Sequence, residues 1–176
     1  MSPHRPRRSV EQLRGSYEET LDALRRRFEQ LEAALAAFGP DLDEQELSAA
    51  WNSEDPLQRN RADAVLSCFE KTYMLLMDVI TLATKLARRT GAIQADDSSS
   101  AIQMLRDAGV LSEPATQALA VQREVRNASQ HIYVELTMRA LRDAVIQQLQ
   151  TTPRIVTGIV TWVDSLDNLR EAERTA

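Results

Sequence analysis

The chain has 176 residues and a formal charge of −5 at neutral pH, from 21 Lys and Arg against 26 Asp and Glu. That length suits one domain with a sizeable core and is short for two. The acidic balance argues against a broad, sequence-independent grip on duplex DNA, which needs a basic face, yet it leaves room for a small site that holds one phosphate through arginine. Lys71 and Lys85 are the only lysines, so nearly all the basic charge is guanidinium, the better planar phosphate ligand. Five glycines, six prolines and 5% aromatics, among many Ala, Leu, Arg, Glu and Gln residues, mark a helical protein. No segment alternates with period two, so no strands are expected.

Residues 1 to 9 carry His4, Arg5, Arg7 and Arg8 between prolines and read as a disordered basic tail. Glu11, Gln12 and Arg14 follow where a secretory leader would place an apolar core, and no apolar run reaches membrane-spanning length, so a cytoplasmic protein without membrane contact is expected. From Val10 to Phe38 the apolar residues Leu13, Tyr17, Leu21, Leu24, Phe28, Leu31, Leu35 and Phe38 step by three and four, an amphipathic helix that Gly39-Pro40 ends. The Arg25-Arg26-Arg27 triplet on it reads as a solvated face. Asp43 caps a short helix through Trp51, which reads as an edge-of-core residue or a contact for a partner, and Asn52 to Pro56 is a break.

The longest apolar pattern runs from about Leu57 to Arg89 through Ala64, Val65, Cys68, Phe69, Tyr73, Leu75, Leu76, Val79, Ile80, Leu82, Ala83 and Leu86. This is the central helix; Met74 and Met77 read as core filling, and Thr90-Gly91 ends it. Cys68 is the sole cysteine, so no disulfide forms within the chain, which fits a reducing compartment. Asp96 to Ser100 is a turn whose serines cap a short helix, Ala101 to Ala108, closed by Gly109. Ser112-Glu113-Pro114 starts another helix. Helical pattern from there to Gln150 exceeds the usual length, so a bend or break is expected between about Ser129 and Met138, and a last helix is expected to start near Pro153 with Ile155, Ile159, Trp162, Val163, Leu166 and Leu169 as its apolar face. The architecture expected is an all-α antiparallel bundle of four to five main helices plus short ones, one domain over 10–172.

One stretch, Arg126-Asn127-Ala128-Ser129-Gln130-His131-Ile132-Tyr133, brings together a guanidinium, a carboxamide, an imidazole and a phenol. His131 is the residue to carry a proton near neutrality, because imidazole has an unperturbed pKa of about 6.5. On a helix Asn127 and His131 share one stripe and Arg126 and Tyr133 a neighbouring one, while Val125, Ala128, Ile132 and Leu136 face the core. Spacing alone also fits a solvated surface pair. There is no credible metal cluster, with one cysteine and no paired histidines at ligand spacing.

These residues match the Arg-x4-His-x-Tyr motif of HEPN-domain proteins, including the Asn after the Arg. Arg61 to Tyr73 with its Phe69-Glu70-Lys71-Thr72-Tyr73 core, Ser98 to Leu111, and Arg126 to Glu135, in that order, resemble the HepT-like nucleotidyltransferase substrate-binding proteins over roughly residues 10 to 170. Two departures stand out. Met77-Asp78 stands where relatives often show an aromatic and a lysine, and no Trp precedes the motif between Ala115 and Arg123.

The resemblance implies a HEPN-like fold and a metal-independent endoribonuclease toxin, without a cofactor. It also implies a partner, a minimal nucleotidyltransferase (MNT) antitoxin that blocks the toxin by adding AMP to the motif tyrosine. Carried over, Arg126 stabilises charge on the phosphorane, Asn127 orients the reacting groups, His131 moves protons at the attacking 2′-hydroxyl and the leaving oxygen, and Tyr133 accepts the modification. An RNA 2′-hydroxyl is an internal nucleophile, so acid–base help and charge stabilisation suffice. If acid and base are both imidazoles, one chain cannot supply them, since His131 is alone outside the tail; a symmetric homodimer with facing motifs is therefore expected, as the family also implies. The alternatives are a non-catalytic nucleotide- or substrate-binding subunit of a nucleotidyltransferase and a purely structural helical adaptor.

Overall fold

Short polar side chains set the helix starts in the computed structural model, which describes residues 8–39, 42–93, 100–130 and 136–175, with side chains to residue 166. Ser9 Oγ accepts from the Gln12 amide at 3.1 Å while Gln12 Oε1 accepts from the Ser9 amide at 2.9 Å, a reciprocal cap that opens α1 (Val10–Leu35). Asp43 Oδ1 accepts from the amides of Gln45 and Glu46 at the start of α2 (Glu44–Trp51), as its sequence context predicts. Asp55 accepts from the Leu57 amide at 2.9 Å and Pro56 fills the first turn of α3 (Pro56–Arg89), where its missing N–H costs nothing. Ser100 caps α4 (Ala101–Asp107), and Ser112 stands before α5 (Glu113–Gln130). The expected turn residues Asp96 to Ser99 lie outside the described residues. The last helix is α6 (Met138–Thr175). A 3-10 turn, Ala36–Phe38, closes α1, and Gly39 takes φ +76°, a left-handed conformation in which a side chain would be strained.

Among the described residues all regular structure is helical, in the all-α bundle that the sequence predicts. Two apolar clusters fix how the helices run. One joins Leu13, Tyr17 and Leu24 of α1 to Leu76, Ile80 and Leu86 of α3, Leu119 of α5 and Ile155, Ile159 and Val163 of α6. The other joins Leu31 and Leu35 to Ala62, Val65 and Phe69, and both to Val125, Leu141 and Val145. Early α1 thus shares a cluster with late α3, and late α1 with early α3, so the two are antiparallel. The same reasoning makes α5 and α6 antiparallel, whereas α3 and α6 run in the same direction. Trp51 is half-buried against the second cluster, at the edge of the core as expected.

Three details depart from the sequence reading. No helix starts at Pro153; α6 passes through it unbroken. Proline removes one backbone bond and crowds the carbonyl four residues back, which costs about 3 kcal/mol in a helix interior. Here it faces solvent, and the buried stripe Leu141, Ala144, Val145, Gln148, Thr152, Ile155, Ile159, Val163 and Leu166 keeps its step of three and four across it, so packing holds both halves in one helix. Met74 is 50% exposed instead of filling the core, and Ala64 is also exposed, because the buried arc of α3 follows Ala62, Val65, Phe69, Thr72, Tyr73, Leu76, Val79 and Ile80.

The core also contains a polar seam with no counterpart in the sequence reading. Gln122 and Gln148 are fully buried. Gln148 Nε2 donates to the Phe69 carbonyl and to Gln122 Oε1, both at 3.3 Å, and Gln122 Nε2 donates to Thr151 Oγ1 at 3.3 Å. These bonds tie α3, α5 and α6 at one level, and directional bonds fix register more strictly than apolar contact does. No helix among the described residues is long and apolar enough to cross a membrane.

Candidate functional site

The end of α5 carries the polar stretch singled out in the sequence. Val125 is buried against Leu141 and Val145, which turns the neighbouring Arg126 and Asn127 to the half-exposed edge between α5 and α3. Arg126 Nη1 donates to Asn127 Oδ1 at 3.4 Å, so the carboxamide leans on the guanidinium next to it. Arg126 Nε is buried and has no hydrogen-bond partner among the described residues. His131 and Tyr133 lie outside the described residues. The helix is followed to Gln130, and Leu136 and Thr137 are non-helical before the next starts at Met138, so the expected interruption between Ser129 and Met138 is present.

Glu70 of α3 holds the last turn of α5. Its Oε1 lies against Ser129 Oγ and accepts from Gln130 Nε2 at 3.1 Å. Ser129 Oγ is also 2.7 Å from the Arg126 carbonyl. A hydroxyl has one proton, so Ser129 donates to the carboxylate or to the carbonyl at any moment. A carboxylate at a helix C-terminus opposes the helix dipole. The side-chain donors of Ser129 and Gln130 compensate, since hydrogen bonds to a charged acceptor contribute about 1.5–3 kcal/mol. This contact fixes the turn that immediately precedes His131 in the chain.

Tyr73, one turn beyond Glu70, completes the edge. Its side chain is mostly buried, and burial pushes the phenol above its ordinary pKa of 10.0; the guanidiniums of Arg123 and Arg126 oppose that rise, because positive charge nearby favours the phenolate. The phenol therefore keeps its proton at neutral pH. No carboxylate oxygen of the described residues is paired with Arg123 or Arg126, whereas Arg25, Arg106 and Arg139 each have one within 4.0 Å. The edge thus gathers two guanidiniums without a carboxylate partner among the described residues, a neutral phenol and a carboxamide.

Of the residues expected from the sequence, Arg126 and Asn127 come together here. Glu70, Tyr73, Arg123, Ser129 and Gln130 enter only through the structure. Glu70 and Ser129 are 59 positions apart, and no local spacing connects them. A cavity of about 470 Å³ opens elsewhere, beside Val10, Arg14, Leu86, Val163 and Leu166. It has no histidine or cysteine in its wall, and Arg14 there is paired with Glu18 at 3.1 Å, so the edge of α5 is the better candidate. Among the described residues no group of three or more His, Cys, Asp or Glu is placed to hold a metal ion.

In comparisons with family models, with curated proteins and with solved structures, nothing matches this chain.

Proposed function

We propose that the chain is a HEPN-type toxin of an MNT–HEPN pair: a metal-independent endoribonuclease whose active centre is assembled from two copies at a homodimer interface. The observation that carries this reading is the pairing of an intact Arg126-x4-His131-x-Tyr133 sequence with a built edge. Arg126 has no carboxylate partner among the described residues, Asn127 leans on it, and Glu70 clamps the turn that precedes His131 in the chain.

The chemistry follows from the substrate. One imidazole takes the proton of the ribose 2′-hydroxyl, whose oxygen attacks the adjacent phosphorus. The bond from phosphorus to the 5′-oxygen breaks, and the imidazolium of the second copy protonates the departing oxygen. The products are a 2′,3′-cyclic phosphate and a 5′-hydroxyl end. Arg126 neutralises the charge that grows on the phosphorane oxygens, and its fixed position means little reorganisation at that moment. Transfer of AMP to the Tyr133 hydroxyl by an MNT-type enzyme adds a bulky anion to the motif and so blocks the RNA.

Purified protein is expected to cut single-stranded RNA in excess EDTA and to leave cyclic phosphate ends. Incubation with a cognate MNT enzyme and ATP is expected to add one AMP mass to the wild type but none to Tyr133→Phe. A dimeric preparation that leaves RNA intact speaks against the nuclease, and an adduct mapped to a serine speaks against Tyr133.

A further inference from the structure

We propose that Arg123 is a second phosphate-binding residue of this edge, gripping the phosphate next to the one that Arg126 holds on the same RNA strand. The inference rests on the nuclease reading for the identity of the ligand and on the geometry of α5 for the rest. Residues three apart on a helix are surface neighbours, with about 5–6 Å between their Cβ atoms. Arg123 is exposed and Arg126 half-buried, so the first reaches outward from the place where the second is held. The positive charge of both guanidiniums is felt at the Tyr73 phenol.

Two like charges side by side repel, and surface helices normally relieve this with an acid three or four positions away. This chain has acids to spare, with 26 against 21 basic residues. Among the described residues neither Arg123 nor Arg126 has a carboxylate within 4.0 Å, and Glu70, the acid that reaches this edge, is taken up by Ser129 and Gln130. The end of α5 favours cations through its dipole but supplies no backbone donors to an anion, so the grip has to come from the side chains. Two forked donors without a carboxylate partner among the described residues, one turn apart on one helix and at the lip of a site for one phosphodiester, match a strand with one negative charge per nucleotide.

The test uses the full-length chain and a fluorescent single-stranded oligoribonucleotide in which every 2′-hydroxyl is methylated, so that it binds but cannot be cut. Each phosphate contact on a single strand contributes about 0.7 to the slope of log K against log salt concentration. Arg123→Gln is expected to flatten that slope by about 0.7 and to weaken binding; Arg123→Lys, which keeps the charge, restores the slope; Arg154→Gln, on the exposed side of α6, leaves it unchanged. In the cleavage assay Arg123→Gln raises KM and leaves kcat far less affected than Arg126→Ala does. A wild-type slope in Arg123→Gln overturns the proposal, and so does a wild type that does not bind the oligonucleotide. If the wild type binds but does not cut unmodified RNA, and Arg123→Gln still flattens the slope, the second grip stands and the nuclease reading falls.

Discussion

Replacing His131 by alanine is expected to slow cleavage of single-stranded RNA in EDTA by about 10²–10⁴-fold, the usual contribution of one positioned acid–base group. The argument is one of inventory. Only two histidines occur in the chain, and His4 lies in the first residues, outside the described fold. With no second imidazole at hand, a homodimer of the variant loses acid and base together, so the upper end of that range is expected. Arg126→Ala is expected to cost about 10²–10³-fold, mostly in kcat, because its charge is worth most where the phosphorane forms. Both variants should keep the fold: Arg126 is at a half-exposed edge, and no core cluster includes it. Cleavage at the wild-type rate by His131→Ala, with circular dichroism unchanged, contradicts the assignment.

The largest effect on stability is expected from Phe69→Ala. Phe69 is fully buried where α1, α3, α5 and α6 meet, in the cluster of Leu31, Val65, Val125 and Leu141. Its removal leaves a cavity that neighbours fill only in part, at about 3–5 kcal/mol. That is a large share of the 5–15 kcal/mol by which a domain is usually stable. Urea denaturation should show a lower midpoint with little change in slope. The Phe69 carbonyl accepts from Gln148, and Glu70 follows directly, so loosening here also reaches the clamp on α5. A midpoint within error of the wild type shows that the cluster can close over the gap and that the core is less tightly coupled to the site than described.

What the sequence made legible is what depends on neighbours in the chain. Asp43, Ser100 and Gly39 mark helix ends because a cap is a local bond or a local φ, and the step of three and four along Leu13, Tyr17, Leu21 and Leu24 is a property of one helix. Pro153 misled for the same reason: its local effect is to stop a helix, and the stripe that carries α6 past it is supplied by tertiary packing. Met74 looked like core because it stands in the apolar run Tyr73 to Met77, whereas burial is decided by which helices lie alongside. The clamp of Glu70 on Ser129 and Gln130 and the seam of Gln122 and Gln148 join positions 26 to 79 apart. Polar partners so distant leave no periodic trace, although the local composition did single out Arg126 and Asn127.

The claim on which the rest turns is that two copies of the chain pool their imidazoles in one centre. Dimers with one wild-type subunit and one His131→Ala subunit, separated by different affinity tags and assayed on RNA in EDTA, test it directly. Pooled imidazoles predict a rate far below half that of the wild-type dimer, because the mixed dimer lacks either the acid or the base. Half of the wild-type rate shows instead that each subunit works alone, and contradicts the account.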